Sequence, residues 1–337
     1  MQDRLVFVIG VMRSGSTLLA RMLGAHGAIY APAEPHLITP LAHLGYYDKV
    51  ERAPYDPIIT QRAARALVPA LARQEEDYLE ALRACTDSLY SKLLAPSGRR
   101  LLVDKTPAYA LVLDFLVKLY PDARYVVLTR NPMAVWSSVV DSFFDGNHEV
   151  AHAHNPVLER YVPAIGRFLR ERPVPRVHLR YEDLVQDPEG QTRRLCEHLS
   201  IPFEDRMVDY GEQPGGQIET PRGLGDPIRA ARESRPTTGS LDKWTKALEG
   251  RPEKVLQCQQ ILARLLDDDL TSWGFERAAL EAQLSAIPGT GGGRRGPRPW
   301  RHTLERRVLV RLRHNVHHNA FGRLVRSVRD ACDVLLR

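Results

Sequence analysis

The sequence predicts an α/β protein: a parallel, P-loop-like sheet flanked by helices, with ligand at the carboxyl ends of its strands and a helical appendage at the C-terminus. Three observations carry this prediction. Short, continuously apolar runs alternate with stretches of helical period between residues 5 and 200. The first run leads into "GVMRSGST", residues 10–17, a turn rich in glycine and hydroxyls that opens a helix. The composition then changes abruptly after residue 290, where 12 Arg and no Lys fall within residues 291–337.

Each element follows in order. Residues 5–10 alternate too little for a half-exposed strand and suit a buried parallel one. "TLLARMLGAH" sets Leu18, Leu19, Met22 and Leu23 at helical spacing. Residues 31–59, with many Pro, His and Tyr, read as loop, and helical period returns in two pieces from Gln61 to Leu94. "RRLLVDKTP" is a second buried strand closed by Pro107, and "ALVLDFLVKLY" an amphipathic helix stopped by Pro121. "ARYVVLTR" is a third strand, and "NPMAVWSSVVDSFF" a helix with Pro132 in its first turn. Residues 156–171 are helical, "RVHLRY" is a fourth strand, and "DPEGQTRRLCEHL" starts a helix with Pro188 just inside. Residues 211–240 have no period and many Gly and Pro, as a lid or binding loop does. "SLDKW" leads to a helix over 252–270. The chain thus divides into a domain at 1–287, a Gly/Pro/Arg linker at 288–299 and a basic amphipathic helical tail at 300–337.

Composition narrows the partners. The 337 residues are enough for a sizeable core, and 43% apolar with 26% charged is ordinary for a globular chain. Net charge is +6, but residues 291–337 alone carry +9, which leaves −3 for residues 1–290. The basic character belongs to the tail, so the body gives no reason to expect nucleic acid. The tail suits a partner protein or an anionic membrane surface. Cys85, Cys196, Cys258 and Cys332 are widely spaced and read as reduced thiols. With an N-terminal apolar run too short to span a bilayer, they set the expectation of a cytoplasmic protein.

The chemistry begins in the loop. Gly10, four residues, Gly15, then Ser16 and Thr17 nearly reproduce a triphosphate-binding P-loop, but Ser16 stands where that motif needs lysine. Arg13, the hydroxyls of Ser14, Ser16 and Thr17, and the backbone at Gly15 suit a single phosphate group at a helix N-terminus. Arg130 ends the third strand, and Ser138 follows eight residues later on nearly the same helical face. That pair suits a second, separate phosphate.

These segments resemble the sulfotransferases that use 3′-phosphoadenosine 5′-phosphosulfate (PAPS). "FVIGVMRSGSTLL" is similar to the family's 5′-phosphosulfate loop, with Met12 where Pro is usual, and "RYVVLTRNPMAVWSS" to its 3′-phosphate motif. "LLVDKTPAYAL", "LRYEDLVQDPEGQTRRLCEHL" and "SLDKWTKAL" resemble blocks of the tyrosylprotein sulfotransferases and of the sulfotransferase domains of bacterial polyketide synthases. The resemblance runs from residue 5 to 275 and leaves out the tail. It implies the sulfotransferase fold and transfer of a sulfuryl group to an acceptor hydroxyl. A peptide tyrosine, a sugar and other hydroxyls stay open, and without a signal or anchor a small metabolite, lipid or carrier-bound substrate is the expected acceptor. It also implies nucleotide contacts from Tyr181 and Lys243, with Arg235 on a covering loop. No metal is called for.

The resemblance further implies a general base. Glu34 lies 21 residues after Arg13, the spacing of the catalytic glutamate in the tyrosylprotein branch. "PAEPHL" also resembles the Glu-x-His stretch of the polyketide branch, so His36 stands beside Glu34 as an alternative, with Glu233 in reserve. Lys105 is placed to steady the sulfuryl group, unless it only pairs with Asp104. Two other readings stay open: a P-loop kinase, with "LLVD" as a Walker B strand ending in Asp104, and a non-catalytic nucleotide-binding module. "HNVHH" places His314, His317 and His318 at metal-ligand spacing, but such a set is more often a solvated helical face.

Overall fold

The computed structural model describes residues 1–32, 34, 38–42, 57–144, 146–211 and 234–288. Five strands, β1 (Leu5–Ile9), β2 (Ile29–Tyr30), β3 (Leu101–Asp104), β4 (Arg124–Thr129) and β5 (Arg176–Arg180), form one sheet in the order β2-β3-β1-β4-β5. Every pairing is parallel, with Phe7 opposite Asp104 on one side of β1 and Tyr125 on the other.

The sheet is buried on both faces. Leu5, Phe7 and Ile9 enter one apolar cluster, and Val6 and Val8 the other. That is why the strand reads as an unbroken apolar run instead of alternating. All five side chains of β1 are fully buried. At about 1.5–3 kcal/mol each, their burial contributes on the order of 10 kcal/mol. Helices Ser16–Gly24 and Pro188–Leu199 cover one face, through Leu19, Met22, Leu195 and Leu199. Helices Glu75–Leu94, Leu113–Leu119, Pro132–Phe143 and Val157–Glu171 cover the other.

The chain crosses from β1 to β2 and β3 on one side, then to β4 and β5 on the other. Its topological switch point lies beside β1, where doubly wound sheets hold ligands at the carboxyl ends of their strands.

The helix Ile38–Ala42 and the start of the helix Pro57–Leu67 fall within the expected loop at 31–59, and Arg277–Ser285 is a further helix. Two other departures have local causes. The expected helix over 252–270 is two helices, Pro252–Arg264 and Asp267–Trp273, with Leu265 and Leu266 extended between them. Asp267, Asp268 and Asp269 start the second one, as acidic residues at a helix N-terminus favour. Asp269 is buried there against Arg170, 2.7 Å away, and Gly166 makes room: a Cβ on it would lie 3.0 Å from the Asp269 Cα. A short helix His148–His154, not foreseen, is capped by the Asn147 side chain, which accepts from the Val150 N–H at 3.1 Å. The two-residue β2 was also not foreseen.

Among the described residues no helix is long and apolar enough to cross a membrane. The Pro288 carbonyl, at the end of the described residues, accepts from the Gly250 N–H at 3.1 Å. The expected linker from residue 289, the tail with His314, His317 and His318, and most of the expected lid (212–233) lie outside the described residues.

Candidate active site

Five of the predicted residues follow the carboxyl ends of the five strands: Arg13 after β1, Glu34 after β2, Lys105 after β3, Arg130 after β4 and Tyr181 after β5. Arg235 and Lys243 come late in the chain, after all five strands.

The turn after β1 needs its glycines. Gly15 has φ +97°, and a Cβ there would lie 2.4 Å from Cδ2 of Tyr181. A Cβ on Gly10 would lie 2.7 Å from Ser14 Oγ and 3.0 Å from the Leu128 carbonyl. Arg13 also has positive φ, 69°. The helix Ser16–Gly24 begins directly after this turn. The first N–H groups of such a helix have no intrahelical partner and point at whatever anion the turn holds. Ser14 Oγ is buried with no hydrogen-bond partner among the described residues. A cradle too tight for any side chain at Gly15, with a buried hydroxyl lacking a partner, fits a phosphate group.

The third-strand residues close on the same turn. Arg130 donates from Nη1 to the Arg13 carbonyl at 3.1 Å and from Nη2 to the Ser240 carbonyl at 3.0 Å. Its guanidinium lies 4.4 Å from the centre of the Tyr181 ring, whose hydroxyl is 2.5 Å from Ser240 Oγ. Trp273 Nε1 fixes the Arg130 carbonyl at 2.8 Å. Arg13 in turn donates from Nε to Ser138 Oγ at 3.1 Å. The loop arginine and the serine after the third strand are therefore in contact. Arg13, Gly15, Arg130, Ser138 and Tyr181 form one cluster.

Sequence reasoning passed over three supports of this cluster. Asn131 caps the helix Pro132–Phe143, its side-chain oxygen accepting from Met133 and Ala134 N–H at 2.9 and 3.2 Å. Its own N–H donates to Glu182 Oε1 at 2.9 Å. Burial pushes the Glu182 carboxyl above the usual range, while the Asn131 N–H and the nearby Arg130 charge pull the other way. Ser240 opens the "SLDKW" block, where the lysine drew attention and the serine did not.

Glu34 and Lys105 form an ion pair with side chains only 12% and 5% exposed. Lys105 thus pairs with Glu34, and Asp104 is engaged elsewhere. Asp104 is fully buried and accepts from Tyr90 at 2.6 Å, Tyr109 at 3.0 Å and Thr106 at 3.1 Å. A Walker B aspartate has to face a metal and its water; this one faces three hydroxyls. His36 and Glu233 lie outside the described residues.

Arg235 stands at the end of the long loop. It is 61% exposed and pairs with Asp209 at 3.5 Å. A hydrogen bond from Gly211 N to the Ser234 carbonyl, 3.0 Å, brings the two ends of the long loop together and sets Arg235 beside Asp209. Lys243 is exposed at the start of the helix Lys243–Leu248, three residues beyond Ser240.

The arrangement offers an anion site of two guanidiniums, hydroxyls and a helix N-terminus. On the same edge of the sheet it offers a carboxylate paired with an ammonium. This is equipment for binding a phosphorylated ligand and accepting a proton beside it.

This chain is similar to several known proteins. A family model described as "Sulfotransferase family" matches residues 6–205. Nodulation protein NoeE of Sinorhizobium fredii (strain NBRC 101917 / NGR234) is 34% identical over 214 residues, 63% of this chain and 48% of its own length. Protein-tyrosine sulfotransferase A of Caenorhabditis elegans is 26% identical over 222 residues, 63% of this chain and 54% of its own. The sulfotransferase domain from the Synechococcus PCC 7002 olefin synthase superposes with a TM-score of 0.47 at 25% identity, covering 71% of this chain and 86% of that one. The chain spans about half the length of the two curated relatives.

Proposed function

This chain belongs to the sulfotransferase family, and from that premise we propose that it moves a sulfuryl group from PAPS to an acceptor hydroxyl. One observation carries the reading: Arg13, Arg130, Ser138 and Tyr181 converge on a turn too tight for any residue but glycine at Gly15. The turn has no P-loop lysine, so its cations serve separate single phosphates, the pattern of adenosine 3′,5′-bisphosphate.

When bound, PAPS supplies the sulfuryl group. The loop N–H groups, Ser14, Ser16 and Thr17 hold the 5′ end; Arg130 and Ser138 hold the 3′ phosphate, and Arg13 lies between them. Glu34 accepts the acceptor's proton as the bond from acceptor oxygen to sulfur forms and the bond from sulfur to phosphate oxygen breaks. Lys105, nearly buried, puts a positive charge beside that exchange, where low dielectric strengthens it. Positioning and charge neutralisation then supply most of the rate, as in phosphoryl transfer. Lys243 reaches the nucleotide from the "SLDKW" turn.

For the acceptor we propose a small metabolite, lipid or carrier-bound hydroxyl, and for the site of reaction the cytoplasm. Cys85, Cys196 and Cys258 are free thiols, which suits a reducing compartment. The test is incubation with ³⁵S-labelled PAPS and a panel of phenols, sterols and hydroxyacyl thioesters. Release of adenosine 3′,5′-bisphosphate together with a labelled product is expected. Nucleotide binding without transfer to any acceptor class would favour the binding-module reading.

A further inference from the structure

The pair Glu34–Lys105 is held from a place the chemistry does not touch. Asp104 and Lys105 are consecutive at the end of β3, yet they do different work. Lys105 holds the Glu34 side chain. Asp104, fully buried, accepts from Tyr109 Oη at 3.0 Å, and Tyr109 Oη in turn accepts from the Ile38 N–H at 2.9 Å. Ile38 opens the helix Ile38–Ala42, four residues beyond Glu34. Two nearby points of the chain are therefore held to the same strand end, Glu34 by its side chain and Ile38 by its backbone. Both Tyr109 and Ile38 are fully buried, so water does not substitute for either bond.

We propose that Tyr109, oriented by the buried Asp104 carboxylate, is a positioning residue that sets the Glu34–Lys105 pair by fixing the backbone at Ile38. The role rests on the reading of Glu34 and Lys105 as reacting groups, but the geometry can be measured without it. Burial and the Asp104 carboxylate push the Tyr109 hydroxyl well above its ordinary range, and the same holds for Tyr90. Both phenols thus stay protonated and keep donating to Asp104.

Tyr90 supplies the comparison. It donates to the same carboxylate at 2.6 Å and is equally buried, but it lies on the helix Glu75–Leu94 and, among the described residues, makes no hydrogen bond to Glu34 or Ile38. Tyr90→Phe and Tyr109→Phe remove chemically equal hydroxyls. Only the second releases Ile38.

The experiment compares full-length wild type, Tyr90→Phe and Tyr109→Phe without ligand. The Lys105 amine is acylated with acetic anhydride across a range of pH, and its rate is read by peptide mass spectrometry against exposed Lys92. Loss of a buried hydrogen bond opens the local structure by about tenfold, so Tyr109→Phe is expected to raise Lys105 acylation by about that factor. Tyr90→Phe, at comparable melting temperature, should leave it within about twofold. Equal rises in both variants, or none in Tyr109→Phe, would overturn the proposal. With PAPS and an acceptor found to turn over, Tyr109→Phe should lower kcat without changing the affinity for adenosine 3′,5′-bisphosphate, and Tyr90→Phe should do neither. If wild type transfers no sulfate, the functional reading fails while the acylation comparison still decides the positioning role.

Discussion

Gly15→Ala tests how tightly the anion cradle is built. The new Cβ meets two obstacles. At φ +97° an alanine is strained by about 1–2 kcal/mol. It would also lie 2.4 Å from Cδ2 and 2.8 Å from Cε2 of Tyr181, inside any permitted contact. The ring cannot simply swing away, because Arg130 lies over it at 4.4 Å and Ser240 holds its hydroxyl at 2.5 Å. Moving it forfeits a cation–π contact of about 0.5–2 kcal/mol and a hydrogen bond of about 0.5–1.5 kcal/mol. The total is about 2–5.5 kcal/mol of unfolding free energy. Urea denaturation of Gly15→Ala, Tyr181→Ala and the double variant reads the cycle. With the ring gone, Gly15→Ala should cost only the backbone share, about 1–2 kcal/mol. An equal cost in both backgrounds would refute the clamp between Gly15, Tyr181 and Arg130.

Three further outcomes are expected. Arg130→Ala should weaken adenosine 3′,5′-bisphosphate by about 10–100-fold in calorimetric titration, the scale of one charged hydrogen bond, and adenosine 5′-monophosphate far less. Equal losses would remove Arg130 from the 3′ phosphate. Glu34→Gln keeps the shape and removes proton acceptance, so kcat should fall about 10²–10⁴-fold with nucleotide affinity nearly unchanged. Near-full activity there, with collapse in His36→Gln, would move the base to His36. His148 is buried beside the positive Lys254, and burial leads in pushing its pKa down to about 4. The folded state then refuses a proton that the unfolded chain takes near 6.5, so stability is lost as pH falls from 6.5 towards 4. The loss is at most about 3 kcal/mol, and His148→Gln should flatten that limb of the denaturation profile.

The strands were legible because a parallel sheet buried on both faces leaves unbroken apolar runs; β1, β3 and β4 show this. β2, with only Ile29 and Tyr30, is too short to leave a pattern. The break between Pro252–Arg264 and Asp267–Trp273 had a visible sign in three consecutive acids, but the helical period of their neighbours outweighed it. In the site, Arg13, Arg130 and Ser138 were readable because local spacing from a strand end fixes where they point. The partner of Lys105 was not. Asp104 is its neighbour in sequence, yet alternation along β3 turns Asp104 into the tyrosines and leaves Lys105 facing Glu34 from another loop. Arg235 could be placed only on the covering loop and by its charge, because the contact beside it, Gly211 with Ser234, joins the two ends of a long loop with no period to read.

The central claim is a site for two single phosphates instead of one triphosphate. Competition calorimetry of the full-length chain, adenosine 3′,5′-bisphosphate against ATP with Mg²⁺, tests it most directly. Tighter binding of the bisphosphate, lost on Arg130→Ala, is the predicted result. Preference for ATP with Mg²⁺, unaffected by Arg130→Ala, would contradict it.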